Sequence, residues 1–185
     1  MRRAVKVVII GDWGVGKTTL RRRFLGKSLT ENYLPTLGVD ISSMNVKRND
    51  EEVTLMFWDL AGQHRFRHIR SGFYKGARIA LIVFDVSRHE TLNNVKVWVQ
   101  ELIERWKKIP TILIGNKIDL RGTHACVMPE EGERVAAEVS ELLGRKVPYI
   151  ETSALTGENV EKVVEMILKM TKVRPKTEAR TIPFI

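Results

Sequence analysis

Cysteine is nearly absent from this chain of 185 residues. Cys126 stands alone, so no intramolecular disulfide can form, which fits a reducing compartment. Long apolar runs are missing too. The longest uncharged one, Ile79 to Phe84, has the length of a strand and falls far short of the roughly 18 to 20 residues that cross a bilayer. The start, Met1-Arg2-Arg3, lacks the apolar core of a signal peptide, and Arg2 stands where myristoylation requires glycine. The tail from Thr171 to Ile185 contains no cysteine to carry a prenyl chain. These absences lead to the expectation of a cytoplasmic protein without a lipid anchor, with at most weak, salt-sensitive membrane contact through its basic tail. Glutamine occurs only at Gln63 and Gln100, and with many Lys, Arg and Glu this is the composition expected of a prokaryotic, heat-adapted source. No repeat and no low-complexity segment is visible.

What is present is enough for a core. Hydrophobic residues make up 43% and charged residues 29%, which excludes disorder of the chain as a whole. Short apolar runs at Ala4–Ile10, Val53–Trp58, Ile79–Phe84 and Thr111–Gly115 end in turn residues, as expected of strands covered on both faces. Val39–Lys47 alternates more strongly, and a polar turn at residues 48–51 separates it from the Val53 run, which predicts a hairpin with an exposed edge strand. A sixth strand is expected at Lys146–Glu151. Leu92, Val95, Trp98, Val99, Leu102, Ile103 and Trp106 recur at helical spacing and predict one helix of about four to five turns. Its tryptophans read as core. Pro129 with Glu130, Glu131 and Glu133 suits a helix first turn, and Val160, Val163, Val164, Ile167 and Leu168 mark a last helix. Alternation of strands and helices implies an α/β fold: a single domain over residues 1–173, with a six-stranded, mostly parallel sheet, one antiparallel edge strand and helices on both faces. Residues 174–185 form a basic tail. Ligands of such sheets bind beyond the carboxyl ends of the strands.

The residues after those runs carry the chemistry. Gly11-Asp12-Trp13-Gly14-Val15-Gly16-Lys17-Thr18 matches the phosphate-loop pattern G-x-x-x-x-G-K-[ST] between a strand and a helix. Its backbone N–H groups, including those running into Thr19, would cradle phosphates, Lys17 would reach the outer ones, and the Thr18 hydroxyl would bind Mg²⁺. Asp59 at a strand end suits Mg²⁺ through its water shell, Gly62 can present its N–H to a terminal phosphate, and Gln63 can orient a water. Asp119, in Asn116-Lys117-Ile118-Asp119, can accept two hydrogen bonds from guanine, whereas adenine offers no such donor pair. Asn116 would tie this loop to the phosphate loop, and the Lys117 stem would lie on the purine. Ser153, Ala154 and Leu155 follow the sixth run, with the Ala154 N–H placed to meet the guanine O6.

The motifs GDWGVGKT, Tyr33-Leu34-Pro35-Thr36-Leu37-Gly38-Val39-Asp40, WDLAGQ, NKID and ETSAL, in this order, resemble those of small GTPases of the Ras superfamily, and of its Rab-like branch in wording. The resemblance covers about residues 4 to 172. It implies GTP and GDP as ligands with Mg²⁺, slow hydrolysis of GTP to GDP and phosphate, and a two-state switch in which Thr36 coordinates the metal and Gly62 the γ-phosphate. Gln63, Lys17 and Thr36 then carry catalysis, and Thr18, Thr36 and Asp59 hold the metal. Tyr33 would close over the phosphates. Protein effectors and regulators would meet residues 29–40 and 60–74.

Three departures from that pattern stand out. Trp13 replaces the small residue usual in the loop and would project toward the γ-phosphate, which predicts slowed hydrolysis. The alternative function follows: a GTP-loaded interaction module with little turnover. Leu29 sits where an aromatic ring often covers the guanine. His64-Arg65-Phe66-Arg67-His68-Ile69-Arg70 is strongly basic and reads either as a surface for an acidic partner or as a solvated loop. Arg21-Arg22-Arg23 is expected to point partly to solvent. The net charge of +9 alone would suggest nucleic acid, yet residues 129–170 are net acidic, so the excess is not a uniform coat and no specific nucleic-acid partner is expected.

Overall fold

The computed structural model describes residues 3–27, 36, 38–48, 51–63, 70, 72–105 and 109–171. Leu29, Tyr33, Leu34, Pro35, Leu37, the stretch from His64 to Ile69, Trp106 and the tail lie outside them. Strands β1 (Arg3–Ile10), β2 (Val39–Arg48), β3 (Glu51–Leu60), β4 (Ile79–Asp85), β5 (Thr111–Asn116) and β6 (Tyr149–Thr152) form one six-stranded sheet in the order β2-β3-β1-β4-β5-β6. Only β2 runs antiparallel, paired with β3 from Val39 opposite Leu60 to Arg48 opposite Glu51, and it is a sheet edge as expected. β1 is flanked by β3 and β4, both parallel to it, with Val7 opposite Phe57 on one side and Ile79 on the other.

Period-two alternation sorts β1 between the two faces. Val8 and Ile10 join Trp98, Val99, Leu102, Val135 and Val139 on one side; Val5, Val7 and Ile9 join Leu20, Phe24, Val163 and Ile167 on the other. The first layer is built by α2 (His89–Asn93), α3 (Val95–Arg105) and α4 (Pro129–Leu143), the second by α1 (Lys17–Phe24) and α5 (Val160–Met170). β4, covered on both faces, is buried at every position. Among the described residues no helix is long and apolar enough to cross a membrane.

Two expectations need correction. The single helix expected from Leu92 onward is broken at Asn94, whose carbonyl accepts from the N–H groups of both Val97 and Trp98, a tight turn between α2 and α3. The sixth strand starts at Tyr149 rather than Lys146, because the preceding segment is fastened to the end of α4, with Val147 N–H donating to Ser140 Oγ at 2.9 Å.

Candidate functional site

β1 ends at Ile10 and the chain turns through Gly11–Gly16 into α1 at Lys17. The turn needs glycine at Gly16, which has φ +96°, and a Cβ there would lie 2.3 Å from Asn116 Nδ2. That amide instead donates to the Val15 carbonyl at 2.9 Å. Lys17 is buried, and its Nζ donates back to the carbonyls of Gly11 at 2.8 Å and Asp12 at 2.7 Å. Burial lowers its pKa to about 8, against the opposing pull of Asp59 and Asp12. A narrow cleft here is lined by Trp13, Gly14, Gly16, Lys17, Thr18, Thr36 and Gly62. Thr19 lies one residue further along α1, half-buried.

Thr18 Oγ1 donates to Asp59 Oδ2 at 2.5 Å and lies 3.0 Å from Thr36 Oγ1. Asp59 is fully buried, and burial raises its pKa despite the opposing Lys17 charge and the Thr18 hydrogen bond. Its Oδ1 has no hydrogen-bond partner among the described residues. Two hydroxyls and a carboxylate with a spare buried oxygen form an all-oxygen donor set, which fits a hard cation such as Mg²⁺. Asp40 faces Asp59 across the β2/β3 ladder, and Arg21 stands between them, bonded to Asp40 and with Nε 3.9 Å from Asp59 Oδ2. Arg21 is therefore a buried charge bridge rather than part of a solvent-facing stretch, and Arg23 is turned to the Ala154 carbonyl at 3.0 Å and to that of Leu155.

Gly62 abuts the phosphate loop: a methyl there would lie 2.6 Å from the Asp12 carbonyl oxygen and 2.5 Å from Lys17 Nζ. Gln63 follows, half-buried. Arg70, read from sequence as part of a basic surface, is only 1% exposed. Its Nε and Nη2 meet the two oxygens of Glu101 at 3.0 and 2.8 Å, and Nη1 donates to the carbonyls of Ala61 at 2.9 Å and Gln63 at 2.6 Å. Tyr74 OH donates to Glu101 at 2.5 Å, and the guanidinium lies 4.5 Å over the Trp98 ring. The indole N–H of Trp98 donates to Asp12 Oδ1 at 2.8 Å, while Asn94 Nδ2 holds the other oxygen at 2.7 Å. Trp98 is core, as expected, but also a donor to the phosphate loop. Sequence reading missed this network. The signal was Glu101, an acid three residues after Trp98 on an otherwise apolar helix face.

On the opposite side, Asn116 is buried and joins three segments: Val15 through its amide, and Thr152 Oγ1 at 3.1 Å and the Ala154 N–H at 3.0 Å through its oxygen. The Ala154 N–H, expected to face the base, is thus already engaged. Ser153 Oγ donates to Asp119 Oδ1 at 2.5 Å, and Leu155 is exposed. Lys117 adopts φ +71°, and its Nζ lies 2.7 Å from Asp85 Oδ2. Asp85 also receives Arg88 Nε at 3.1 Å, and Arg88 Nη2 donates to the Trp13 carbonyl at 3.0 Å. Burial pushes the Asp85 carboxyl up, but hydrogen bonds from Lys117 and Ser87 outweigh it and leave the pKa below its usual value. The Trp13 side chain is 52% exposed.

Five loops thus converge at the carboxyl ends of the strands, in the sequence order and spacing of a nucleotide site, and the sequence model of the Ras family matches residues 6–173. The chain belongs to the Ras family. It is 38% identical over 178 residues to Ras-related protein RIC1 of Oryza sativa subsp. japonica, covering 95% of this chain and 84% of the relative. Against Ras-related protein Rab7 of Pisum sativum the identity is 35% over 173 residues, covering 91% and 82%. Against Ras-related protein RABD2a of Arabidopsis thaliana it is 40% over 159 residues, covering 85% and 74%. This small GTPase is Rab-like, a guanine-nucleotide-binding protein of α/β fold.

Proposed function

We propose that the chain is a Mg²⁺-dependent molecular switch that hydrolyses GTP to GDP and phosphate with slow intrinsic turnover. The convergence of Lys17, Thr18, Thr36, Asp59 and Gly62 on one cleft supports this reading most directly. Lys17, with two of its three N–H donors on the Gly11 and Asp12 carbonyls, neutralises the outer phosphates with the third, and the N–H groups from Trp13 to Thr19 cradle them. Thr18, Thr36 and Asp59 would hold Mg²⁺, which when bound would supply neutralisation of phosphate charge. Gln63 aligns the attacking water, and Gly62 sits close enough to the loop for its N–H to sense the terminal phosphate. Asp119, with Ser153 supporting it, reads guanine, flanked by Lys117, Leu155 and Leu29, with Asn116 and Ala154 as the frame behind them. Effectors and regulators meet residues 29–40 and 60–74. Identification of the nucleotide retained on purification, followed by single-turnover hydrolysis with Mg²⁺, tests the proposal: bound GDP or GTP and measurable phosphate release are expected, and bound ATP would overturn it.

The position of Trp13 favours a second reading, a GTP-loaded interaction module, because Trp13 is one of the residues lining the cleft with Gly62. If the ring crowds the γ-phosphate, Trp13→Ser accelerates single-turnover hydrolysis on the order of tenfold, since misplacement of reacting groups by about 1 Å costs up to 100-fold. Equal rates would sink the occlusion idea.

A further inference from the structure

We infer that Arg70 is a positioning residue for Gln63, holding the peptide on which that side chain stands at a fixed distance from the phosphate loop. The inference rests on the proposed hydrolytic role of Gln63. Nη1 of Arg70 grips two carbonyls on either side of Gly62, those of Ala61 and Gln63, at 2.9 and 2.6 Å. A surface arginine making such contacts would be of little consequence, because its side chain has many alternatives in water. Arg70 is 1% exposed and has none. Its other two nitrogens are committed to Glu101 in a bidentate pair, and Glu101 is itself buried and fixed by Tyr74 OH. The guanidinium plane therefore has one orientation, and with it the two carbonyls.

The same group connects to the far wall of the cleft. The face of Trp98 lies under the Arg70 guanidinium, and its indole N–H holds Asp12, whose own carbonyl accepts from Lys17. Asp12 is also the residue that Gly62 abuts. The Gln63 peptide and the phosphate loop are thus referenced to one rigid element, α3, through neighbouring side chains on its inner face, Trp98 and Glu101. Hydrolysis that depends on a water aligned by Gln63 is sensitive to displacements of a fraction of an ångström. A fork locked at both ends supplies that precision without touching the nucleotide. Burying an ion pair adds little to net stability compared with apolar groups, so positioning is the better account of its presence.

The test separates positioning from stability. Arg70→Met combined with Glu101→Gln removes both charges together, so neither is left buried alone, and the glutamine oxygen still accepts from Tyr74. Wild type, this paired variant, Gln63→Ala and the triple variant are compared in single-turnover GTP hydrolysis with Mg²⁺ and in titration with a fluorescent GDP analogue. The paired variant is expected to slow hydrolysis on the order of 10- to 100-fold while affinity for the GDP analogue stays within about twofold. In the Gln63→Ala background the same pair should slow it no further, because the group it positions is gone. Independent, multiplicative slowing in the triple variant overturns the inference, as does an unchanged rate in the paired variant, or a loss of nucleotide affinity matching the loss of rate. Wild-type hydrolysis by Gln63→Ala alone would overturn the hydrolytic role of Gln63, and this inference with it.

Discussion

Truncating Asn116 to alanine should cost far more than the loss of one polar side chain at a loop suggests. Asn116 is 1% exposed and makes three hydrogen bonds: its amide to the Val15 carbonyl at 2.9 Å, and its oxygen from Thr152 Oγ1 at 3.1 Å and the Ala154 N–H at 3.0 Å. All three partner residues are buried. A buried polar group deprived of its partner costs about 1–3 kcal/mol. The three losses share one side chain and are not independent, so a total of about 3–5 kcal/mol is expected rather than the full sum. That is a large part of the roughly 5–15 kcal/mol that holds a typical domain folded. Urea unfolding in GDP, with each variant's GDP affinity measured so that the ligand's own contribution is subtracted, measures the loss. Thr152→Val is the control, since it removes only one of the three bonds and should cost about 1 kcal/mol. If Asn116→Ala costs no more than Thr152→Val, the asparagine is not the junction of the phosphate loop, β5 and the loop after β6.

Other consequences are as direct. Asp85, held below the ordinary aspartate value of 3.8 by Lys117 and Ser87, contributes stability that is complete above that value and is lost as pH falls through its lower folded value. The stability gap between wild type and Asp85→Asn should therefore be constant near neutrality and shrink below about pH 4 in urea titrations at stepped pH; a gap that widens in acid would refute the assignment. Gly62→Ala places a methyl 2.6 Å from the Asp12 carbonyl oxygen, an overlap costing about 1–3 kcal/mol unless the loop after β3 moves away. Phosphate release should fall at least about tenfold with GDP affinity nearly intact; unchanged release would show that the loop does not need this close approach.

The sheet was legible because its signals are local. Apolar runs such as Ile79–Phe84 and the alternation in Val39–Lys47 record burial on two faces or one, and the strands found there differ only at their ends. The phosphate loop was legible because glycine spacing and the strand-to-helix context leave few other readings for Gly11–Thr18. Arginine direction was not legible. Within Arg21-Arg22-Arg23, expected to point partly to solvent, nothing marks Arg21 as the buried one, nor Arg70 at the end of a basic segment, until the acids that draw them inward are known, and Asp40, Asp59 and Glu101 lie 19 to 38 residues away in the chain. The helix break at Asn94 escaped notice for a related reason: its side chain serves Asp12, 82 positions earlier.

One carboxylate at the end of β4 has a wider reach than its position suggests. Asp85 binds Lys117 of the loop after β5 at 2.7 Å and Arg88 at 3.1 Å, and Arg88 donates to the Trp13 carbonyl of the phosphate loop at 3.0 Å. The loop after β5 and the phosphate loop therefore share a single mechanical fulcrum, and a displacement of the backbone at Trp13 reaches Lys117 through the side chains of Arg88 and Asp85.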